Sequence, residues 1–269
     1  MQNENIQLVR NYYDSAVQDE WDRVAGRPEF LLTCRMLDRY IKPGDTVLDI
    51  GGGPGRYSLY LAAKGCKVTL FDLSAGNTQF AAERANEQSL HLQTVTGDAR
   101  EANTQVSGQF DHVLLMGPLY HLLDENDRIK SVTAAVALLK PGGLLFASFI
   151  STAGGIIYGI KREPGLIIST EPCEVEYLNN FVGRKSYAGD AFTKAFFIEQ
   201  SEVLPFMAQF PLEKLHLFGQ EGILSLCEDN IMSQPPEVVN AWLDLCEKIF
   251  DREEFLSWSE HLMYVGHKV

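Results

Sequence analysis

Val47-Leu48-Asp49-Ile50-Gly51-Gly52-Gly53-Pro54-Gly55 decides how this chain folds. An aliphatic run of strand character ends in glycines, at Gly51, Gly53 and Gly55 among others, and Arg56 to Lys64 follows with helical spacing, closed by Gly65. Such a turn omits side chains where a ligand must approach the backbone. The helix that follows offers amide N–H groups and the positive end of its dipole to a carboxylate or phosphate.

The pattern continues on both sides of this turn. Upstream, Ile6, Val9, Tyr13, Ala16, Val17 and Val24 fall at helical spacing and predict one amphipathic helix against the body. A second helix is expected from Pro28 to Tyr40, with the proline in its first turn and Pro43-Gly44 after its end. Downstream, Lys67–Phe71 reads as a strand and Ala75–Gln88 as a helix capped by Ser74. His91–Val95 and Phe110–Met116 read as strands, Glu125–Leu139 as a helix and Gly143–Ile150 as a fifth strand. Strands alternating with helices imply an α/β fold with a doubly wound, Rossmann-like sheet, mostly parallel and covered on both faces. After Ile150 the regularity weakens for about forty residues, too long for a structureless loop, and predicts an inserted cap. Strands are expected again at Phe192–Phe197, Leu212–Phe218 and His261–Lys268, with helices at Glu202–Gln209 and Val238–Phe250.

Composition narrows the function. With 269 residues, 45% of them apolar, the chain fills a sizeable core, and no linker divides it. Its five cysteines are scattered and never form a C-x-x-C pair, which argues against a disulfide framework or a zinc site and for a reducing, cytoplasmic setting. The start at Met1-Gln2-Asn3 lacks the basic and apolar parts of a secretory signal. Pro141–Ile160 carries no charge, but its glycines and hydroxyl residues make it a poor membrane span. A formal charge of −13 disfavours a nucleic-acid partner.

A second signal accompanies the glycines. Phe71-Asp72-Leu73 places an acid at the end of the second strand, where doubly wound folds hold ribose hydroxyls and reject a 2′-phosphate. Glycine turn and acid together point to an adenosine-containing cofactor. A nicotinamide dinucleotide is the weaker reading, because G-x-G-x-x-G starting at Gly51 would need a glycine at Arg56, and starting at Gly53 one at Ser58.

With these segments the chain resembles the class I S-adenosylmethionine-dependent methyltransferases. Asp49-Ile50-Gly51-Gly52-Gly53-Pro54-Gly55 is similar to the family's first motif, Asp72 to its ribose acid, Gly97-Asp98-Ala99 to its adenine loop and Leu139-Lys140-Pro141-Gly142-Gly143 to the turn before its fifth strand. The resemblance implies S-adenosylmethionine as cofactor and a reversed last strand, which His261–Lys268 would supply. It further implies that the Gly51, Gly52 and Gly53 backbone holds the methionine moiety beside Asp49. Asp72 would take the ribose, Leu73 the adenine face, Asp98 the adenine amino group, the Ala99 amide a ring nitrogen, and Met116 would sit beside the sulfonium. Tyr12-Tyr13-Asp14, Gly117-Pro118-Leu119-Tyr120-His121-Leu122 and Gly219-Gln220-Glu221-Gly222 are similar to a small-molecule subgroup, in which Tyr13 would reach the cofactor carboxylate from a helical lid. The chain then divides as one methyltransferase domain, 1–269, with a lid at 1–42, a cofactor-binding core at 43–150, a cap insertion at 151–191 and completing strands and helices at 192–269.

The implied reaction is in-line transfer of an activated methyl to a small molecule, for which aligning the nucleophile and excluding water matter most. His121 and Tyr120 are the candidate catalytic side chains, placed just after the fourth strand; the weightier reading of His121 is a residue that only hydrogen-bonds the backbone or caps the next helix. The acceptor pocket is expected from the N-terminal helix, the insertion around Tyr158 to Tyr187 and the late helix carrying Trp242. No metal site is expected, and the strand-four sequence lacks the Pro-Pro-aromatic pattern of base-methylating enzymes. The alternatives are a noncatalytic S-adenosylmethionine-binding module or, more remotely, a nicotinamide-dependent oxidoreductase.

Overall fold

A computed structural model describes residues 2–269. The N-terminal apolar stripe forms two helices, α1 (Gln2–Ser15) and α2 (Val17–Arg23), where one was expected. They break at Ala16, whose backbone leaves the helical range (φ −111°, ψ 18°). Next come α3 (Pro28–Tyr40), β1 (Thr46–Ile50), α4 (Arg56–Ala63), β2 (Lys67–Asp72), α5 (Ala75–Glu87) and β3 (Leu92–Thr96). A short α6 (Ala102–Gln105), β4 (Phe110–Leu115), α7 (Glu125–Ala137) and β5 (Leu139–Ser151) complete the first half. The Ser74 hydroxyl accepts the Asn77 N–H and caps α5, as the sequence led us to expect.

Strand order is β3-β2-β1-β4-β5, with every neighbouring pair parallel. Both faces are buried with a period of two. Leu48, Ile50, Val113, Leu115 and Ala147 enter one apolar cluster with α7, while Val47, Leu114, Leu144 and Phe146 enter the opposite one with α3 and α4. The last strand, β9 (His261–Lys268), is reversed. It runs antiparallel to β5 from Leu144 to Ile150 and to β8 (Leu212–Gly219) on its other side.

The segment after β5 is more regular than its sequence suggested. It holds α8 (Thr152–Arg162), a 3₁₀ turn at Pro164–Ile168, α9 (Pro172–Val182) and β6 (Tyr187–Asp190). β6 forms a hairpin with β7 (Lys194–Ile198), so residue 191 falls in its turn and the expected strand start at Phe192 lies in that turn as well. Because β9 occupies one edge of β5 as far as Ile150, β7 pairs with Ile150 and Ser151 on the other edge, beyond the end of β4. The hairpin thereby roofs the C-terminal end of the sheet. α10 (Gln200–Met207), α11 (Glu228–Met232), α12 (Pro236–Ile249) and α13 (Glu253–Leu256) fill the remainder. Among the described residues no helix is long and apolar enough to cross a membrane.

Candidate active site

The ends of β1, β2 and β4 open onto one cavity. Its lining includes every cofactor-binding and catalytic candidate named from the sequence: Tyr13, Asp49, Gly51, Gly52, Gly53, Asp72, Leu73, Asp98, Ala99, Met116, Tyr120 and His121. Gly51 has φ +76° and lies so close to Pro118 that a Cβ would come 2.4 Å from its Cδ. Gly53 has φ +55° but faces open space, where a Cβ would find its nearest neighbour 4.0 Å away. The first glycine is thus required by packing, the second by backbone conformation and clearance.

The loop amides are used differently from what was expected. Gly51 N–H donates to the Phe71 carbonyl (2.7 Å) and Gly53 N–H to Asp72 Oδ2 (2.8 Å), so the glycines spend their donors inside the protein. The first amides of α4 have no partner within the helix itself, as at any helix start. Asp72 also accepts from Ser74 N–H (2.9 Å) and Asn77 Nδ2 (3.2 Å) through Oδ1, so it organises the loop as well as facing the cavity. Burial raises its pKa against those donors. Asp98 is gripped by Arg100, whose Nη2 lies 2.6 Å from Oδ2, and Arg100 continues to Asp127 at 2.7 Å. Although burial opposes it, that cation holds the Asp98 pKa below its usual value.

Asp49 is fully buried. Its Oδ2 accepts from Ser58 (2.7 Å), whereas Oδ1 has no partner; Asn77 Oδ1 is likewise unpartnered. Burial pushes Asp49 up to about 7, opposed by the Ser58 hydroxyl and reinforced by the charge of Asp72. Two buried acceptor oxygens without donors suit a polar ligand that carries N–H or O–H groups or positive charge.

Tyr13 does not point a free hydroxyl at the cavity. Its oxygen lies 2.7 Å from His121 Nε2, while His121 Nδ1 lies 3.0 Å from the carbonyl oxygen of Lys194 on β7. A carbonyl only accepts, so Nδ1 carries the proton, Nε2 offers its lone pair, and Tyr13 is the donor. Burial lowers the His121 pKa to about 4, against the favourable carbonyl contact, and keeps the ring neutral.

A second cavity of about 540 Å³ adjoins the first, and Tyr13, Glu20, Arg23 and Tyr120 line both. Its far wall comes from α8, α9 and the hairpin, where Tyr177, Tyr187 and Phe197 pack edge to face. Trp242 is not there. It sits 38% exposed on α12, which packs on α3 through Arg35–Asp244 and Arg39–Glu247 pairs.

The partition between the cavities contains residues the sequence did not single out. Arg23 donates from Nε to Glu20 (3.0 Å) and from Nη1 to Glu29 (3.0 Å). Behind it, His261 Nδ1 donates to Glu221 Oε1 at 2.6 Å. Burial opposes charge on His261, but Glu221 and Glu29 outweigh it and raise the pKa to about 9. Glu29, Glu221 and His261 bring one donor atom each within 4.8 Å of one another, yet their negative charge is already answered by Arg23 and by the imidazolium. Only the Gly219-Gln220-Glu221-Gly222 resemblance hinted at this wall.

Residues 47–143 match the family described as "Methyltransferase domain". Over that segment the chain is similar to a methyltransferase domain. Around that domain it is similar to a ubiquinone biosynthesis O-methyltransferase of Caulobacter vibrioides, 35% identical over 108 residues, covering 40% of this chain and 42% of the relative. A relative of the same name from Cronobacter sakazakii is 28% identical over 65% of each chain. The chain thus spans less than two thirds of the length of these relatives. Among solved structures, the methyltransferase fold recurs in a 1,6-didemethyltoxoflavin-N1-methyltransferase of Burkholderia thailandensis with bound S-adenosylhomocysteine. That likeness has a TM-score of 0.60 at 17% identity, over 100% of this chain and 91% of the other.

Proposed function

We propose that this chain methylates a small organic molecule with S-adenosylmethionine. The observation that carries the reading is the pair of adjoining cavities, one built on the glycine loop, Asp72, Leu73, Asp98 and Ala99, the other lined by aromatic rings with charged side chains among them, joined where Tyr13 and Tyr120 line both. A noncatalytic binding module needs only the first. The bound cofactor supplies an electrophilic methyl group on a sulfonium. Asp72 would hold the ribose with what remains of its accepting capacity, Leu73 the adenine face, Asp98 and Ala99 the adenine edge, and Gly53 the close backbone approach. Tyr13, turned toward His121, serves the junction rather than the cofactor carboxylate in this reading. Charge of −13 favours a small molecule over nucleic acid as acceptor. Five unpaired cysteines suit a cytoplasmic setting.

Calorimetry tests the cofactor, with S-adenosylmethionine and S-adenosylhomocysteine expected to bind and to raise Tm while NAD does neither. No binding of either sulfur ligand, or equal binding of NAD, sinks the reading. Labelled methyl transfer to a metabolite mixture then separates an enzyme from a binding module.

A further inference from the structure

The Tyr13–His121 pair gives the junction a definite polarity, and this restricts what is methylated there. The Lys194 carbonyl accepts from Nδ1 of His121, which leaves Nε2 as a lone-pair site 2.7 Å from the Tyr13 oxygen. Tyr13 therefore spends its only proton on His121 and keeps only accepting capacity on its oxygen, and its side chain lines both cavities where they meet. A group docking against it must donate. The deeper hydroxyls of the second cavity are occupied elsewhere, Tyr177 donating to the Thr152 carbonyl and Tyr187 to the Asp190 carbonyl (2.9 Å), so their rings present apolar surface. An acceptor thus rests its apolar body on these rings and brings a proton-bearing atom to Tyr13.

Resting on the methyltransferase reading above, we propose that the acceptor is a hydroxyl compound with an apolar, ring-sized body, and that Tyr13 and His121 relay its proton. As a lone pair of the acceptor oxygen forms the new bond to carbon, the carbon–sulfur bonding pair stays on sulfur. The acceptor O–H bonding pair stays on oxygen, its proton passes to the Tyr13 oxygen, and the Tyr13 proton passes to His121 Nε2. The products are a methyl ether, a thioether and an imidazolium that returns its proton through Tyr13 once the ether leaves. Tyr13 is the catalytic residue; His121 acts through it and positions its proton.

The low basicity of His121 fits a hydroxyl acceptor, whose need to donate at Tyr13 comes from the hydrogen-bond geometry. A base held at about 4 takes a proton from an oxygen that is becoming an oxonium, but not from a methylated ammonium, which is far less acidic. Tyr13 on α1 and Tyr120 touch the ring, Lys194 and its partner Asp190 lie on the hairpin, and α1 further carries Arg10, Tyr12 and Asp14. None supplies a charge that offsets its burial.

Three measurements decide the matter. Nitrogen-15 NMR of histidine-labelled protein should show His121 as the Nδ1–H tautomer, with Nε2 shifted in Tyr13→Phe; an Nε2–H tautomer overturns the relay. With labelled S-adenosylmethionine and a panel of matched hydroxy-, amino- and thio-arenes, the products should carry O-methyl groups. Transfer only to nitrogen or sulfur, or to no hydroxyl while the cofactor still binds, overturns the hydroxyl assignment and leaves cofactor binding standing. Absence of cofactor binding instead removes the reading underneath. For the methylated arene, Tyr13→Phe and His121→Gln should each lower kcat by about 10²–10⁴ with little change in cofactor affinity. In both variants kcat should climb with pH toward the arene's own ionisation, whereas the parent stays flat. Parallel profiles in all three mean that the pair is only structural.

Discussion

Tyr13 and His121 are joined by a 2.7 Å hydrogen bond across 108 residues of sequence, tying the N-terminal helix α1 to the loop after β4. Lys194 on the hairpin holds the other side of the imidazole. α1, the loop after β4 and the β6–β7 hairpin meet in one neutral ring, and its neutrality has a cost in acid. A histidine ionises near 6.5 in the unfolded chain and near 4 here, so the unfolded state binds more protons between these values. Stability should be intact above pH 6.5 and fall as pH drops toward 4, by at most roughly 3 kcal/mol from this ring. Urea titrations at pH 7 and 4.5 should show that loss, and His121→Gln should reduce it. An equal loss in the variant assigns the acid sensitivity elsewhere.

The Asp72 carboxylate ties the glycine loop and the start of α5 from inside, beside the ribose contact proposed for it. Replacing it with alanine should weaken S-adenosylmethionine binding by about 1.5–3 kcal/mol, the range for hydrogen bonds to a charged group, and should also lower Tm. Calorimetry paired with thermal melts measures both. Unchanged affinity with a lower Tm would leave Asp72 with the loop duty alone.

Gly51 and Gly53 separate packing from ligand clearance. Gly51→Ala drives a Cβ into Pro118 and should destabilise the fold strongly. Gly53→Ala meets nothing in the protein and should cost only about 1–2 kcal/mol, the strain of the left-handed backbone. Its cofactor affinity should nevertheless fall at least about tenfold, since the methyl occupies the side from which a ligand approaches. Retained affinity in a folded Gly53→Ala protein would move the ligand off this loop.

Asp49, held up to about 7 by burial, is half protonated near neutrality. A ligand carrying positive charge in the same cavity favours the carboxylate, so binding should release protons near pH 7 and tighten as pH rises through it. Calorimetry in buffers of different ionisation enthalpy detects the release. Asp49→Asn should abolish it; proton release surviving in that variant points to another group.

On the far side of the partition the sign reverses. His261 is raised to about 9 by Glu221 and Glu29, despite its burial, so the folded chain binds more protons than the unfolded one between 6.5 and 9. This contribution is complete below pH 6.5 and is lost as pH rises through 9. Thermal melts from pH 6.5 to 9.5 should decline, and Glu221→Gln should flatten the decline while lowering stability at pH 6.5. Parallel declines in both proteins would take His261 out of the alkaline limb.

Local chemistry explains what was legible in advance. The bounds of β1 and α3, the cap at Ser74, and the extent of β9 follow from apolar periodicity, a proline start and polar turn residues, which act over a few positions, whereas the reversal of β9 was implied only by the family resemblance. The 151–191 segment was not legible as helices and a strand. Gly154, Gly155, Pro164 and Pro172 interrupt its periodicity, and Tyr177 and Tyr187 become interior only because they pack on each other and on Phe197. Trp242 was misplaced for the complementary reason: an aromatic on a late helix belongs to a pocket only if that helix faces it, and α12 faces α3.

The sequence by itself determined a doubly wound sheet with a glycine turn after β1, an acid after β2 and a histidine just beyond β4, because period, turn residues and strand ends are written within short windows. Tertiary structure alone decided that Tyr13 faces His121, and that the Lys194 carbonyl sets which imidazole nitrogen keeps its proton. It likewise decided that Arg23 and His261 pair with acids from distant segments to divide two cavities. Those arrangements depend on distances between segments far apart in the chain, and burial then determines the charge each group carries.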